Sequence, residues 1–533
     1  MRPLGNSRSQ RRAVLFGVAV IGTGFVAAAP SPSGLSTPGQ YALATMFFAG
    51  FLWVTATLPL PVTALSIPFV LTAFGVYAEL DVALAGFADP IVFLFLAGFM
   101  LANALQKYDI DRRIALWLLS RMGTSPRRLV AAVMLATAFL SMWVSNTATA
   151  AMMTPIAVGI LAQVLGRDAV ATVPKQHVAG GIGEEERDET PFGNLQVSML
   201  LGTAYAASIG GVGTLIGTPP NAILAAQLNG ILGYEIGFAR WLLVGVPIVA
   251  VTLPLVWYLL TFHLYPPRMT SVEAARTGAK NVLEAEGELS PRGRRVAYVF
   301  TATASLWVLG GLGELFAPAL PTAWATMIFG GDGATVLGVD GHQGLLYYVM
   351  VGLAAIPALV LADTMEWEEL ADVDWGTILL FGGGISLAES LAATDATDWI
   401  ASTVFTSLTG TPIVLVVGVV VLLVVFLTEM TSNTATATII IPILLSLGSV
   451  FAVRLGVTEV STAVFLAVSG AIAASFAFAL PVATPPNAIV FGSGYVEQRH
   501  MLRAGVVLNL VMTVVLTGLL WLLFRFVWPA FLW

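Results

Sequence analysis

The chain is 533 residues long, 57% of them hydrophobic and only 10% charged, with a mean hydropathy of +0.87. That balance excludes a string of soluble domains and reads as an all-α polytopic membrane protein. Cysteine is absent, which rules out disulfides, thiolate metal sites and a cysteine nucleophile. The net charge of −7 sits largely in the loop runs 183–190 and 363–374, and an acidic balance makes nucleic acid a poor partner.

In chain order, Arg11-Arg12 precede an apolar run that ends at Pro30. The pattern fits a signal peptide and equally a first spanning helix, and a retained span at about 13–30 is expected. Further spans are expected near 41–62, 63–82, 91–106, 203–229 (interrupted), 240–263, 296–316, 343–363, 376–392, 462–492 (interrupted) and 504–526. That makes about eleven crossings. Two other apolar stretches, 127–165 and 411–453, carry Ser145-Asn146-Thr147 and Ser432-Asn433-Thr434 at their centres. Each is too long for one simple span and too polar in the middle to cross comfortably, so both are read as re-entrant hairpins. A membrane tolerates such an interruption only where the opened backbone lines a protein-enclosed or watery cavity.

The basic residues test this count, because cytoplasmic loops collect Lys and Arg. With the N-terminus in the cytoplasm, 21 of the 24 basic residues fall inside. Arg240, Arg454 and Arg525 alone fall outside, and the C-terminus is external.

The two SNT copies lie 287 positions apart, and the following Ala-Thr repeats with them. LAGFMLANAL (96–105) corresponds to FGGGISLAESL (381–391), and Asp109 matches Asp395. TPPNAI recurs at 218–223 and 484–489, with a shorter offset that the loop at 166–195 explains. The span at 91–106 runs inward and that at 376–392 outward, so the repeats are expected to be inverted, with two hairpins and two broken helices. The expected division is scaffold helices at 1–90, a first repeat at 91–239, scaffold and linker at 240–375, a second repeat at 376–503 and a last helix at 504–533.

The adjacent prolines of TPPN remove two backbone donors and stop a helix. They also start the next one, with Thr as its cap. Each motif therefore splits a span into halves: one offers carbonyl oxygens to a cation, the other its positive N-terminal end to an anion. SNT adds hydroxyl and amide groups at a hairpin tip. A kink used only for packing would explain one TPPN, and small-residue packing would explain one SNT, but duplication in matching places argues for a shared site. Gly98 and Gly382–Gly384 fit close helix approach better than ligand binding. Glu429 lacks an acidic counterpart, since Met142 occupies its place, and is assigned a structural or hydrogen-bonding role rather than proton carriage. No Lys, Arg or His falls in the hairpin centres or the breaks. A bound anion must then be balanced by co-bound cations, and neutral oxygen ligands suit a hard monovalent ion such as Na⁺.

Paired SNT motifs, each followed by a PPN-type break, resemble the divalent anion/sodium symporters, over about residues 41–526. The resemblance implies uptake of a C4-dicarboxylate such as succinate, malate or fumarate, or of citrate or sulfate. It also implies Na⁺ as the coupling ion with no other cofactor, a homodimer in the cell membrane, and elevator-type movement. Carried over, the first sodium site uses Ser141, Ser145, Asn146 and Gly217, and the second Thr428, Thr431, Asn433 and Ala483. The substrate contacts Ser145, Asn146, Thr147, Thr218, Ser432, Asn433, Thr434 and Thr484, with Pro219 and Pro485 lining the site. Against this stand a membrane enzyme, for which no catalytic grouping appears in the spans, an antiporter, which would need acidic residues in both halves, and a sodium-independent dicarboxylate exchanger.

Overall fold

The computed structural model describes residues 5–121, 125–165, 193–269, 272–331, 342–405 and 410–530. Arg2, Arg167, Lys175 and Arg187, and the centre of the 317–342 loop, lie outside them. The described chain is helical, with no strand. The longer helices begin with α1 (Gly5–Ala28), α2 (Thr37–Thr55), α3 (Leu60–Ala73), α4 (Pro90–Lys107) and α5 (Ile110–Arg121). Around the first motifs lie α6 (Pro126–Ser141), α7 (Asn146–Leu165), α8 (Gly193–Gly211) and α9 (Pro219–Leu232). Next come α10 (Phe238–Tyr258), α11 (Glu273–Ala285), α12 (Pro291–Gly310) and α13 (Tyr348–Leu361). The second set is α14 (Trp375–Ala393), α15 (Ala396–Phe405), α16 (Ile413–Met430), α17 (Asn433–Leu455), α18 (Glu459–Ala473) and α19 (Pro485–Gly492). The helix α20 (Gln498–Phe526) follows.

Polar caps and prolines fix where these helices start. The side chains of Ser36, Asp89, Ser125, Ser290, Asp374 and Thr458 each accept a backbone N–H from the first turn, satisfying a donor that the helix leaves open. The expected boundary at 62/63 moves for this reason. The helix α2 starts early, at its Ser36 cap, and ends at Ala56 in the left-handed region (φ 47°), and α3 restarts after Pro59. Eight helices are long and apolar enough to cross a membrane, or nine if the bent pair Pro291–Gly310 and Gly313–Ala319 counts as one span, among the described residues. That count includes α7, α16 and α17, which flank the SNT motifs, and sets α3, α13 and α18 apart as shorter apolar helices. Helix length alone therefore does not fix eleven crossings.

Apolar side chains face outward as well as inward. On α16, Leu415, Val419 and Leu423 recur at helical spacing and are 59%, 61% and 54% exposed, as expected where hydrocarbon is the solvent. The helices α8 and α18 are buried on nearly every side and form the centre of the molecule. Each half-helix that begins at TPPN packs on the opposite repeat: α9 on α14 and α17, and α19 on α7 and α8. This exchange draws both SNT motifs and both breaks together.

The sequence correspondence extends to the backbone. Asp109 and Asp395 both take a left-handed conformation, at φ 53° and 56°, where α4 turns into α5 and α14 into α15. Pro155 and Pro442 interrupt α7 and α17 at matching places. The glycine triplet serves packing: a Cβ on Gly383 would strike the backbone of Ala64 on α3, and one on Gly384 the side chain of Thr438 on α17.

Charged loops gather at the two ends. Lys107 pairs with Glu369 at 2.5 Å, Arg112 with Glu286 at 3.3 Å and Arg292 with Asp363 at 2.6 Å. Arg240 pairs with Glu314 at 2.9 Å beyond the far end of α12. These pairs are solvated, so they contribute little to stability. Their value lies in showing which loops share an end.

Candidate anion and cation site

A cavity of about 960 Å³ is lined by Ser145–Thr147, Gly217–Pro219, Ser432–Thr434 and Ala483–Pro485. Every substrate-contact residue expected from the sequence faces it. The opposite wall comes from α3, α4 and α14 and includes Phe95, Phe99, Asn103, Gln106 and Leu380. Gln106 and Asp372–Asp374, near the Lys107–Glu369 pair, also line it.

Four helices begin at this cavity: α7 at Asn146, α9 at Pro219, α17 at Asn433 and α19 at Pro485. Their open N–H groups and dipole ends supply the positive field that elsewhere comes from Lys or Arg. None of the described residues that line the cavity is Lys, Arg or His. Two carboxylates stand at the rim, and Asp374 is engaged with Thr377, accepting from its N at 3.1 Å and its Oγ1 at 2.6 Å.

Behind each SNT motif lies a cluster of oxygens short of protons. In the first, Ser141 Oγ lies 2.6 Å from Asn146 Oδ1 and 2.7 Å from Ala207 O. In the second, Thr428 Oγ1 lies 2.7 Å from Asn433 Oδ1 and 3.0 Å from Ala474 O. A hydroxyl has one proton to give, so in each cluster it can satisfy only one of its two neighbours. Around Asn146 the shortage is sharper. Turned the other way, its amide nitrogen would donate to Ser141 Oγ at 2.6 Å, Ala207 O at 3.0 Å and Gly217 O at 3.2 Å. Those three oxygens can thus be met either by the amide nitrogen or, with the amide oxygen turned inward, by a cation. The donor set of hydroxyl, amide and carbonyl oxygens fits a hard monovalent cation.

The breaks are braced by their own asparagines. Asn221 Nδ2 donates to Gly211 O (3.1 Å) and Thr214 O (2.8 Å), and Asn487 Nδ2 to Ala477 O and Leu480 O (both 3.1 Å). Both side chains are fully buried. The two caps differ: Thr484 Oγ1 accepts from Asn487 N at 3.2 Å, whereas Thr218 Oγ1 accepts from Asn146 Nδ2 at 3.3 Å. Thr214 Oγ1 donates to Met142 O and ties the first break to its hairpin.

Sequence reasoning overlooked several of these groups. The recurrence of Asn221 and Asn487 within TPPN was a usable signal, but nothing marks Ala207 or Ala474, which act through backbone carbonyls. Thr431, expected at the second cation site, pairs its hydroxyl with Thr436 at 2.5 Å and with Leu427 O at 3.1 Å. Asn103 lines the cavity and donates to Asp372 O at 2.8 Å and Glu369 O at 3.3 Å.

Comparison with known proteins converges on this arrangement. A family model described as "Sodium:sulfate symporter transmembrane region" matches residues 10–530. A Haemophilus influenzae protein named "Uncharacterized transporter" is 36% identical over 475 residues, 89% of each chain. "Sodium-dependent dicarboxylate transporter SdcS" of Staphylococcus saprophyticus is 33% identical over 488 residues, covering 91% of this chain and 86% of that one. Among solved structures, Neisseria gonorrhoeae MtrF, titled as illuminating a class of antimetabolite efflux pumps, aligns with a TM-score of 0.54 at 12% identity. It covers 97% of this chain and 94% of its own. That likeness shows a shared transporter fold alone. A sequence match spanning both SNT motifs and both breaks, on a helical membrane architecture, makes the protein a sodium-coupled transporter rather than an enzyme, and the chain belongs to the divalent anion/sodium symporter family.

Proposed function

We propose that the chain couples inward sodium movement to uptake of a divalent C4-dicarboxylate such as succinate, malate or fumarate. One observation carries the reading: four helix N-termini and two oxygen clusters meet at a cavity that, among the described residues, no basic side chain lines. A dianion held by helix ends and neutral donors leaves a large desolvated charge, and co-bound sodium ions balance it. The printed names of the SdcS relatives supply the dicarboxylate. Ser145, Asn146, Thr147, Thr218, Ser432, Asn433, Thr434 and Thr484 hold the carboxylates beside Pro219 and Pro485. Ser141, Ser145, Asn146 and Gly217 hold one sodium ion, and Thr428, Asn433, Ala483 and the Thr431 carbonyl the other.

The two inverted repeats carry this site past a scaffold of α1–α3 and α10–α13 by an elevator movement, in a homodimer. Purified protein in vesicles should accumulate labelled succinate under an inward sodium gradient, and replacing Na⁺ by K⁺ should abolish uptake. Citrate and sulfate in the same assay separate the substrates, sulfate being the anion in the family description. Unchanged uptake without sodium would make the protein an exchanger.

Sidedness has its own measurement. The chain has no cysteine, so Glu288→Cys and Ala319→Cys, both at exposed positions, report cleanly. An impermeant thiol reagent applied to intact cells should label Ala319→Cys and spare Glu288→Cys. The reverse pattern, or labelling of both, overturns the orientation.

A further inference from the structure

One buried carboxylate lies outside the roles assigned so far. Glu429 is 4% exposed, near the end of α16, and follows Thr428 of the second oxygen cluster. Its Oε1 accepts from Phe478 N (2.6 Å), Ala479 N (2.7 Å) and Asn509 Nδ2 (2.7 Å), and its Oε2 from Leu480 N (2.9 Å). Four N–H donors converge on it, a set that matches an acceptor-only carboxylate. Tyr205 OH, from α8, holds the same turn from its other side by donating to Phe478 O at 2.9 Å.

The first repeat has no such group. Its corresponding turn uses helix-type bonds, from Val212 N to Ile209 O and from Gly213 N to Gly210 O. The helix α8 runs to Gly211, whereas α18 stops at Ala473, one turn earlier relative to its TPPN. In an unbroken helix Phe478 N–H would bond to Ala474 O, four residues back. Glu429 takes that donor instead, and Ala474 O is left to the oxygen cluster with Thr428 and Asn433. Ala207 O, in contrast, lies within the ladder of α8.

We infer that Glu429 is a positioning residue for the second cation site. By claiming the amides of Phe478–Leu480 it unwinds the last turn of α18, frees the Ala474 carbonyl for sodium and sets a fixed negative charge beside it. The two pseudo-equivalent sites are therefore unequal, and the second binds sodium more tightly. The inference rests on reading the Thr428–Asn433–Ala474 cluster as a sodium site.

The test compares sodium activation of succinate uptake with succinate KM at saturating sodium, for reconstituted wild type, Glu429→Gln, Glu429→Asp and Thr428→Val. Sodium-dependent thermal stabilisation without substrate is the second readout. Glu429→Gln keeps the shape but sets an NH₂ against N–H donors and removes the charge. It should raise half-saturating sodium about tenfold in both readouts, leave KM at saturating sodium within about twofold, and be partly rescued by Asp. Should the Gln variant fail to accumulate, Asn509→Ala loosens the carboxylate and keeps its charge, and should raise half-saturating sodium about threefold at unchanged KM. Wild-type sodium dependence in Glu429→Gln, or in Asn509→Ala where Gln fails, overturns the inference. So does sodium-free, pH-driven uptake that vanishes in Glu429→Gln, which would make the residue a proton carrier. If Thr428→Val leaves sodium activation untouched, the reading of the cluster fails. If Thr428→Val shifts it and Glu429→Gln does not, only the role of Glu429 fails.

Discussion

Asn146→Ala and Asn433→Ala are each expected to reach the membrane and to lose sodium-driven uptake. The two asparagines start α7 and α17 at the cavity wall, each with Oδ1 on a hydroxyl of the cluster behind it, Ser141 at 2.6 Å and Thr428 at 2.7 Å. An amide so placed gives its oxygen to the cation and its N–H groups to the anion. Alanine removes both, and a hydrogen bond to a charged partner contributes roughly 1.5–3 kcal/mol, which is about tenfold or more in affinity. Losing the sodium contact adds to that, because the anion depends on the cation for charge balance. Asp is expected to fail as well, since its carboxylate repels the anion and lacks the donor hydrogens. Asn229→Ala, at an exposed position on α9, should transport normally. Wild-type sodium and substrate dependence in both cavity variants would show that the anion binds elsewhere.

Much of this site was legible in the sequence because its chemistry is written in side chains twice over. A duplicated SNT in an apolar run has few explanations, and the TPPN prolines carry their backbone consequences with them. The matched left-handed aspartates show how far the repeat holds in the backbone. Where function passes to backbone, legibility ends: Ala207 and Ala474 are ordinary residues whose carbonyls matter only because of where two helices end. Asn103 illustrates a different limit. By sequence it lies on a flanking span, unlike the motif residues, yet α4 helps line the cavity and its amide donates to Asp372 O. The engagement of the Thr431 hydroxyl with Thr436, one helical turn into α17, could not be read from the sequence either. For Glu429, the absence of an acidic counterpart pointed to a structural or hydrogen-bonding role, but its partners at 478–480 and 509 lie too far along the chain to be inferred from sequence.

A strict steric demand falls on Gly217, and Gly217→Ala is expected to lower uptake at least about tenfold and to raise half-saturating sodium. Gly217 does not take a positive φ, so alanine meets no backbone penalty there. The obstacle is space: a Cβ would run into the backbone of Gly211, its carbonyl oxygen first, with Cα at 2.9 Å and carbonyl carbon at 3.0 Å. Backbone cannot rotate away as a side chain can. Gly211 O is also held by Asn221 Nδ2 at 3.1 Å, and Gly217 O is one of the three oxygens around the Asn146 amide. Relief of the clash must therefore pull the first cation cluster apart, and overpacking of this kind costs about 1–3 kcal/mol, a factor of roughly ten at mid-range. The second repeat supplies the control. Its matching residue is Ala483, which carries a Cβ and faces the cavity, so the same addition is already accommodated there. Ala483→Gly should keep uptake within about twofold of wild type, its effect limited to added backbone freedom of roughly 0.5–1 kcal/mol. Sodium activation curves for the two variants decide the matter: equal responses, or wild-type sodium dependence in Gly217→Ala, would mean that the close approach of the two glycine backbones does not shape a sodium site.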